Sequence, residues 1–369
     1  MLNNGKFSAF HVGTILYPTV LATGFISLPT ITAQYADNDF WLTGLLASLL
    51  GMVSVYMATR LYELYPQMTV IQYSEQIMGK AVGKIVGVIY LLFFLHATGV
   101  IARQYAEFVT INFLSRTPMV VIISSMLLLT AFAVRGGATM LVRNAVIFTP
   151  LFILPLFLLL LLIPDLDVKN IFPVLSHGII PVLKGTIAPQ SWVCEVFLMT
   201  FFLPYMSNPE KGRRWGMMSL FAIIISMTYV NLITLLLFGI DTANKNYPLL
   251  SAFRYISSGN FIENLESLLL AMWVIGNFIK ISVFYFAAVQ SFGQILQLSD
   301  YRPFVFPVGI LVMVFSLWDI PDFARLGIHL SRVAPFEILL TLVAIPLLLL
   351  IIAVLFRRRK VASEGEPSI

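Results

Sequence analysis

The chain has 369 residues, of which 59% are hydrophobic and only 11% charged. Soluble domains carry roughly 25% charged residues, so this composition cannot cover a water-facing surface, and the surrounding solvent must be lipid. The net charge of +5 does not mark a nucleic-acid binder, because the basic residues fall where membrane topology places them. A single cysteine, Cys194, excludes an internal disulfide, and the four scattered histidines (His11, His96, His177, His329) show no metal-ligand spacing, so neither a metal nor a cofactor is expected.

In chain order, a first apolar stretch from about Phe7 to Ile31 is too long for a signal-peptide core and lacks a small-x-small cleavage site. A helix needs about 20 apolar residues to cross the hydrocarbon. Such spans are predicted at 11–35, 41–62, 85–112, 118–134 and 142–163, then at 180–207, 216–240, 262–297, 303–318 and 335–356. The ninth is short and the sixth is interrupted. The segment 68–78 is too short and mixed to cross and reads as an interfacial helix. Outer loops are expected at the acidic Asp37-Asn38-Asp39, at 164–179 with Pro164 and Pro173, and at 241–260. The tail 361–369 is small and polar and is expected to be disordered.

Ten spans put both termini on one side. If that side is cytoplasmic it holds fourteen basic residues, from Lys6 to Lys360, against seven on the opposite side, with Arg103 and Lys280 inside spans. This two-to-one bias sets the orientation.

Two spans carry breaking residues. The first reads Tyr17-Pro-Thr-Val-Leu-Ala-Thr-Gly-Phe-Ile-Ser-Leu-Pro29, with Thr23 and Gly24 near mid-span. It is either a kinked helix packed through small residues or a discontinuous helix whose freed backbone groups bind a ligand. The sixth is its counterpart in a five-plus-five arrangement, with Pro189 and Pro204 bracketing Gln190, Ser191 and Glu195. Interrupted spans at matching positions of two halves point to a midplane site.

Ionisable groups inside the membrane need an account, since each costs roughly 2.5–3.5 kcal/mol at a helix centre. On the third span, His96, Val100, Arg103 and Glu107 fall within about 60° of one face, bordered by Gln104. Arg103 and Glu107 are spaced as an i, i+4 ion pair. Glu195 and Lys280 lie near mid-span on separate helices, where they pair with each other or serve a substrate or ion pathway, together forming a possible intramembrane charge network with Arg103 and Glu107. Asn277, Lys280, Ile281 and Phe284 share one side of the eighth span.

The motifs Thr23-Gly-Phe-Ile-Ser-Leu-Pro29 and Glu195-Val-Phe-Leu-Met-Thr-Phe-Phe-Leu-Pro204, with the basic turn Asn208-Pro-Glu-Lys-Gly-Arg-Arg214, resemble those of the endospore germination permeases. These are the B subunits of germinant receptors, within the amino acid–polyamine–organocation superfamily, and the resemblance covers residues 7 to 357. It implies an all-α integral membrane protein of the LeuT type, with ten transmembrane helices in a 5+5 inverted repeat and broken first and sixth helices. The repeats would span about 7–163 and 180–357 of a single transmembrane domain, 1–360. The ligand would be a free amino acid or similar nutrient, the partners the receptor's A and C subunits, and the location the inner membrane of a bacterial endospore.

Carried over by position, the resemblance implies that backbone at Ala22, Thr23 and Gly24 meets the ligand carboxylate. His96, Val100 and Gln104 would face the ligand, Trp192, Cys194, Glu195 and Leu198 would shape the pocket, and Asn277 and Ile281 would close it. The fifth span, Leu141 to Ile163, lacks the lysine with which proton-coupled relatives replace sodium. Three functions follow: a nutrient-sensing receptor subunit, which the resemblance favours, a coupled amino-acid transporter, and a gated water or ion conduit. No nucleophile–base constellation suggests an enzyme.

Overall fold

The computed structural model describes residues 6–259 and 264–364. Among the described residues, seven helices are long and apolar enough to cross a membrane, and two shorter apolar ones, Met119–Arg135 and Arg302–Trp318, accompany them. With the interrupted segment that begins at Ile179 they account for the ten expected spans. The helices are α1 (Ala9–Ala36), α2 (Leu42–Leu64), α3 (Val70–Met78), α4 (Lys80–Asn112), α5 (Met119–Arg135), α6 (Ala138–Leu158) and α7 (Ile179–Val193). There follow α8 (Gly212–Phe238), α9 (Pro248–Gly259), α10 (Glu266–Ile295), α11 (Val305–Trp318), α12 (Phe323–Ile328), α13 (Ala334–Leu339) and α14 (Ile345–Glu364).

The central element is α1, buried along nearly its whole length and packed against α6, α7, α8 and α10. It is one continuous helix, so the break anticipated at Thr23–Gly24 is not present. The reason is local repair. Pro18 cannot donate to the Thr14 carbonyl, and that carbonyl accepts instead from Thr149 Oγ1 on α6 at 3.3 Å. Gly24 keeps its helical hydrogen bonding and gives α1 a slim face toward Trp192 and Met227.

The sixth span is interrupted as expected. After α7 the backbone tightens into a 3₁₀ helix over Cys194–Phe201, followed by a 3₁₀ turn at Leu203–Tyr205. Runs of 3₁₀ helix longer than three or four residues are uncommon and often mark a hinge. The end of this segment is tied to the start of α1: Phe7 N–H donates to the Tyr205 carbonyl, Ser207 N–H to the Phe7 carbonyl at 2.8 Å, and Ala9 N–H to Asn208 Oδ1 at 2.8 Å. Asn208 thus satisfies an orphan donor at the α1 N-terminus.

The tenth span departs most from expectation. It begins at Phe323, ahead of the expected start at 335, where Asp322 Oδ1 caps α12 by accepting from Arg325 N–H. Two π-helical turns interrupt it, His329–Val333 and Leu340–Ala344, and each lies just before a proline, Pro335 and Pro346. Widening the turn relieves the clash of each proline ring with the preceding carbonyls. The Thr341 carbonyl in the second accepts from Tyr90 OH on α4 at 2.7 Å.

Helix α3 occupies 70–78 of the expected 68–78 and carries a Thr69–Gln72 capping box. The loop expected at 241–260 instead contains α9. Asp39 is buried, not a free surface acid, and both its oxygens accept from Leu175 N–H, at 2.9 and 3.0 Å. Of the expected disordered tail, 361–364 continue α14, and 365–369 lie outside the described residues.

Candidate functional site

At mid-bundle the polar exceptions to an apolar interior meet. Lys280 Nζ, from α10, donates to both carboxylate oxygens of Glu195, at 2.8 and 2.7 Å, and both side chains are almost fully buried. Glu195 reaches this position because the α7 to 3₁₀ transition falls at Cys194, one residue before it. The pair lines a small cavity of about 40 Å³. Its other walls are Thr23 of α1, His96, Val100 and Gln104 of α4, Trp192, Phe284, and His329, Leu330, Ala334 and Glu337 of the tenth span.

Of the anticipated site residues, Thr23, His96, Val100, Gln104, Trp192, Glu195 and Lys280 therefore share one space. Ala22, Gly24, Cys194, Leu198, Asn277 and Ile281 do not line it. Ala22 turns toward the α10 crossing, where a Cβ built on Gly276 would lie 3.0 Å from the Ala22 Cβ. Because α1 is continuous, the backbone amides of residues 22–24 are engaged within the helix and cannot face a carboxylate there. Cys194 and Leu198 are fully buried. Ile281 is likewise packed in the core, and Asn277 Nδ2 bonds back to the Trp273 carbonyl at 2.9 Å.

The anticipated charge network separates into two pairs. Arg103 holds Glu107 through Nε at 3.0 Å and through a terminal nitrogen at 2.7 Å, and also reaches the Pro321 carbonyl at 3.2 Å. Neither residue lines the cavity, so this pair fastens α4 to the connection before α12.

Three residues were not anticipated. His96 Nε2 lies 2.8 Å from Asp319 Oδ2, His96 Nδ1 lies 3.3 Å from Glu337 Oε2, and His329 Nε2 lies 4.0 Å from the same Glu337 oxygen. The histidines are scattered along the chain but two of them meet in space. The signal available was Glu337, a carboxylate inside a span, together with Pro335 and Pro346; starting the tenth span at 335 left Asp319 and His329 outside it.

A second, wider cavity of about 340 Å³ opens at the end of the bundle opposite the α1 N-terminus, between the second half of α1, Tyr247 and α12. It shares Gln104 and Leu330 with the inner cavity, which makes these two side chains the partition between a vestibule and the buried pair. Toward the other end of the bundle, hydrogen bonds link Tyr205, Gln290, Gln294 and Thr69.

This arrangement, a bundle with an interrupted sixth span and a charged midplane cavity, is the LeuT-type fold of secondary transporters. A Na⁺-coupled sialic acid symporter in a substrate-bound outward-open state superposes with a TM-score of 0.67 at 14% identity, over 92% of this chain and 80% of that one. MhsT in complex with L-phenylalanine gives 0.64 at 13% identity, over 93% and 98%. Within that fold, the family model described as spore germination protein matches residues 6–324, and the chain belongs to this family. Among its relatives, spore germination protein KB of Bacillus subtilis (strain 168) is 26% identical over 360 residues, 93% of this chain and 94% of that protein. Spore germination protein A2 of the same organism is 26% identical over 362 residues, 96% and 97% of the two chains. The chain is thus a multi-pass integral membrane protein of spore germination.

Proposed function

We propose that the chain is the nutrient-sensing B subunit of a germinant receptor, and that a free amino acid binds in the cavity beside Glu195 and Lys280. The observation that carries this is the pair itself. A zwitterion entering between the two side chains exchanges one neutral ion pair for two, its ammonium group meeting Glu195 and its carboxylate meeting Lys280. No net charge is added to the membrane interior, where an uncompensated charge costs several kcal/mol. Thr23, Val100 and Trp192 are left to read the side chain.

The cavity's size gives the sensing step. A space of about 40 Å³ holds a few waters, each needing at least about 10–15 Å³, but no amino acid. Binding must therefore favour an expanded state, and a ligand shifts an equilibrium by its differential affinity for the two states. The 3₁₀ segment and the two π turns, which already depart from α geometry, are the elements to absorb the change. By the positive-inside bias both termini are cytoplasmic, so the wider cavity faces outward, toward arriving nutrient.

Amino-acid transport by the same site is the second reading, favoured by the fold. Uptake of radiolabelled L-amino acids into vesicles reconstituted with the full chain separates the two. The sensing account expects saturable binding without accumulation, and co-purification with A and C subunits; concentrative uptake by the chain alone would contradict it.

A further inference from the structure

The side chains around His96 form a site of their own. Asp319 Oδ2, 2.8 Å from His96 Nε2, accepts a proton from that nitrogen, which leaves Nδ1 as the inward-facing atom, bound to a proton shared with Glu337 or, once that proton leaves, open to a metal ion. Facing Nδ1 are Glu337 Oε2 at 3.3 Å and, 4.0 Å from this oxygen, His329 Nε2. One potential ligand atom from each of His96, His329 and Glu337 lies within 4.8 Å of the other two. A carboxylate and two imidazoles this close together share a cation, which either the imidazole proton or a metal ion supplies.

Depth sharpens the requirement. His96 is sixteen residues into α4 from Lys80, or about 24 Å along its axis, which places it well inside the hydrocarbon. The 14 residues of α11 rise only about 21 Å, less than the roughly 30 Å of hydrocarbon, so Asp319 at its end lies at a similar depth. Asp319 and Glu337, each with its side chain 37% exposed, are two carboxylates drawn to one imidazole, and a divalent cation between them would balance both charges. Glu195 and Lys280 neutralise each other and supply no such charge.

We propose that His96 Nδ1, His329 Nε2 and Glu337 Oε2 bind a divalent transition metal of the zinc class, with Asp319 as the outer carboxylate that orients His96. Two imidazoles and one carboxylate with a fourth position open are a ligand set of zinc, and a carboxylate behind the ligating histidine is its usual support. Tetrahedral ligands at about 2.0–2.1 Å from zinc stand about 3.3 Å apart, the separation of His96 Nδ1 and Glu337 Oε2. Binding would draw His329 Nε2, now 4.0 Å from Glu337 Oε2, closer by a side-chain rotation. It sits on the π turn His329–Val333, and single π turns recur at functional sites. The ion and the two carboxylates together are neutral. Its open position faces the cavity that also holds the Glu195–Lys280 pair. This site stands on its own geometry and holds whether the chain senses or transports.

The test is titration of the full chain in lipid nanodiscs, purified with a tag free of histidine, with Co²⁺ followed by its visible d–d absorption and then displaced by Zn²⁺. One Co²⁺ per chain is expected, with the band removed in His329→Gln and Glu337→Gln. In Asp319→Asn the affinity should fall about 10–100-fold with the band shape kept, as for loss of an outer carboxylate. Zn²⁺ should raise the thermal unfolding midpoint of the wild type but not of His329→Gln. Absence of a saturable band in the wild type would overturn the proposal, leaving protons as the cations of the cluster. A band equal in strength and affinity in both glutamine variants would also overturn it, by placing the metal elsewhere.

Discussion

Glu195 and Lys280 satisfy each other so fully that removing one must leave the other exposed to the energetic cost of the membrane interior. Breaking a buried pair by removing one member costs about 3–5 kcal/mol, whereas replacing both with apolar groups of similar volume is often neutral. Lys280→Met alone is therefore expected to lower the unfolding midpoint in detergent markedly, and the double variant Glu195→Leu/Lys280→Met to restore most of it. If the pair is the ligand's anchor, the restored double variant still fails to respond to nutrient. Full response from a stable double variant would make the pair purely structural. Arg103 and Glu107 follow the same energetics without the functional consequence: Arg103→Met/Glu107→Met should regain stability and keep the response, measured as germination of spores carrying the variant. At this scale the sequence was informative about which residues are exceptional and weak on their partners. A lone carboxylate or lysine in an apolar run announces a buried charge, but the i, i+4 spacing that joins Arg103 to Glu107 has no counterpart between helices 85 positions apart. His96 showed the same limit, since its partners Asp319, His329 and Glu337 come from the far end of the chain.

Element by element, proline and glycine were read correctly as weak points but not always as breaks. Pro18 and Pro29 leave α1 continuous, because Thr149 supplies the missing donor at one turn and α1 is clasped by four neighbours. Pro335 and Pro346, not singled out in the sequence, each follow a π turn in the tenth span, and Pro189 precedes the 3₁₀ segment of the sixth span. Composition shows that a residue weakens a helix; tertiary partners decide whether it gives way. Two glycines test this. A Cβ on Gly24 would lie 3.6 Å from Met227 Cε and 4.0 Å from the Trp192 ring, in ordinary contact. Gly24→Ala should be neutral or stabilise by up to about 1 kcal/mol through helix propensity. At Gly83 a Cβ would run into the backbone of Glu75, with its amide nitrogen at 2.6 Å. Gly83→Ala should push α3 away from α4 and cost about 1–3 kcal/mol, as overpacking does. Thermal unfolding of the two variants side by side reads the difference, and equal midpoints would mean that α3 does not pack on α4 as described.

For the molecule as a whole, span number, order and family were legible because bilayer thickness fixes helix length and the motifs of the first and sixth spans are distinctive. The closed state of the cavity was not, since it depends on how far apart five helices stand, and periodicity carries no such distance. Under the proposed sensing function, a site too small for its ligand would report occupancy by changing shape. The most direct measurement is equilibrium binding of individual radiolabelled L-amino acids to the full chain in nanodiscs, comparing the wild type with Val100→Phe and Val120→Phe. Val100 lines the cavity, whereas Val120 is 45% exposed on the outer surface of the bundle. The account predicts saturable binding of at least one amino acid, weakened tenfold or more by Val100→Phe and unchanged by Val120→Phe. Equal affinity in both variants, or no binding of any amino acid to the wild type, would contradict it.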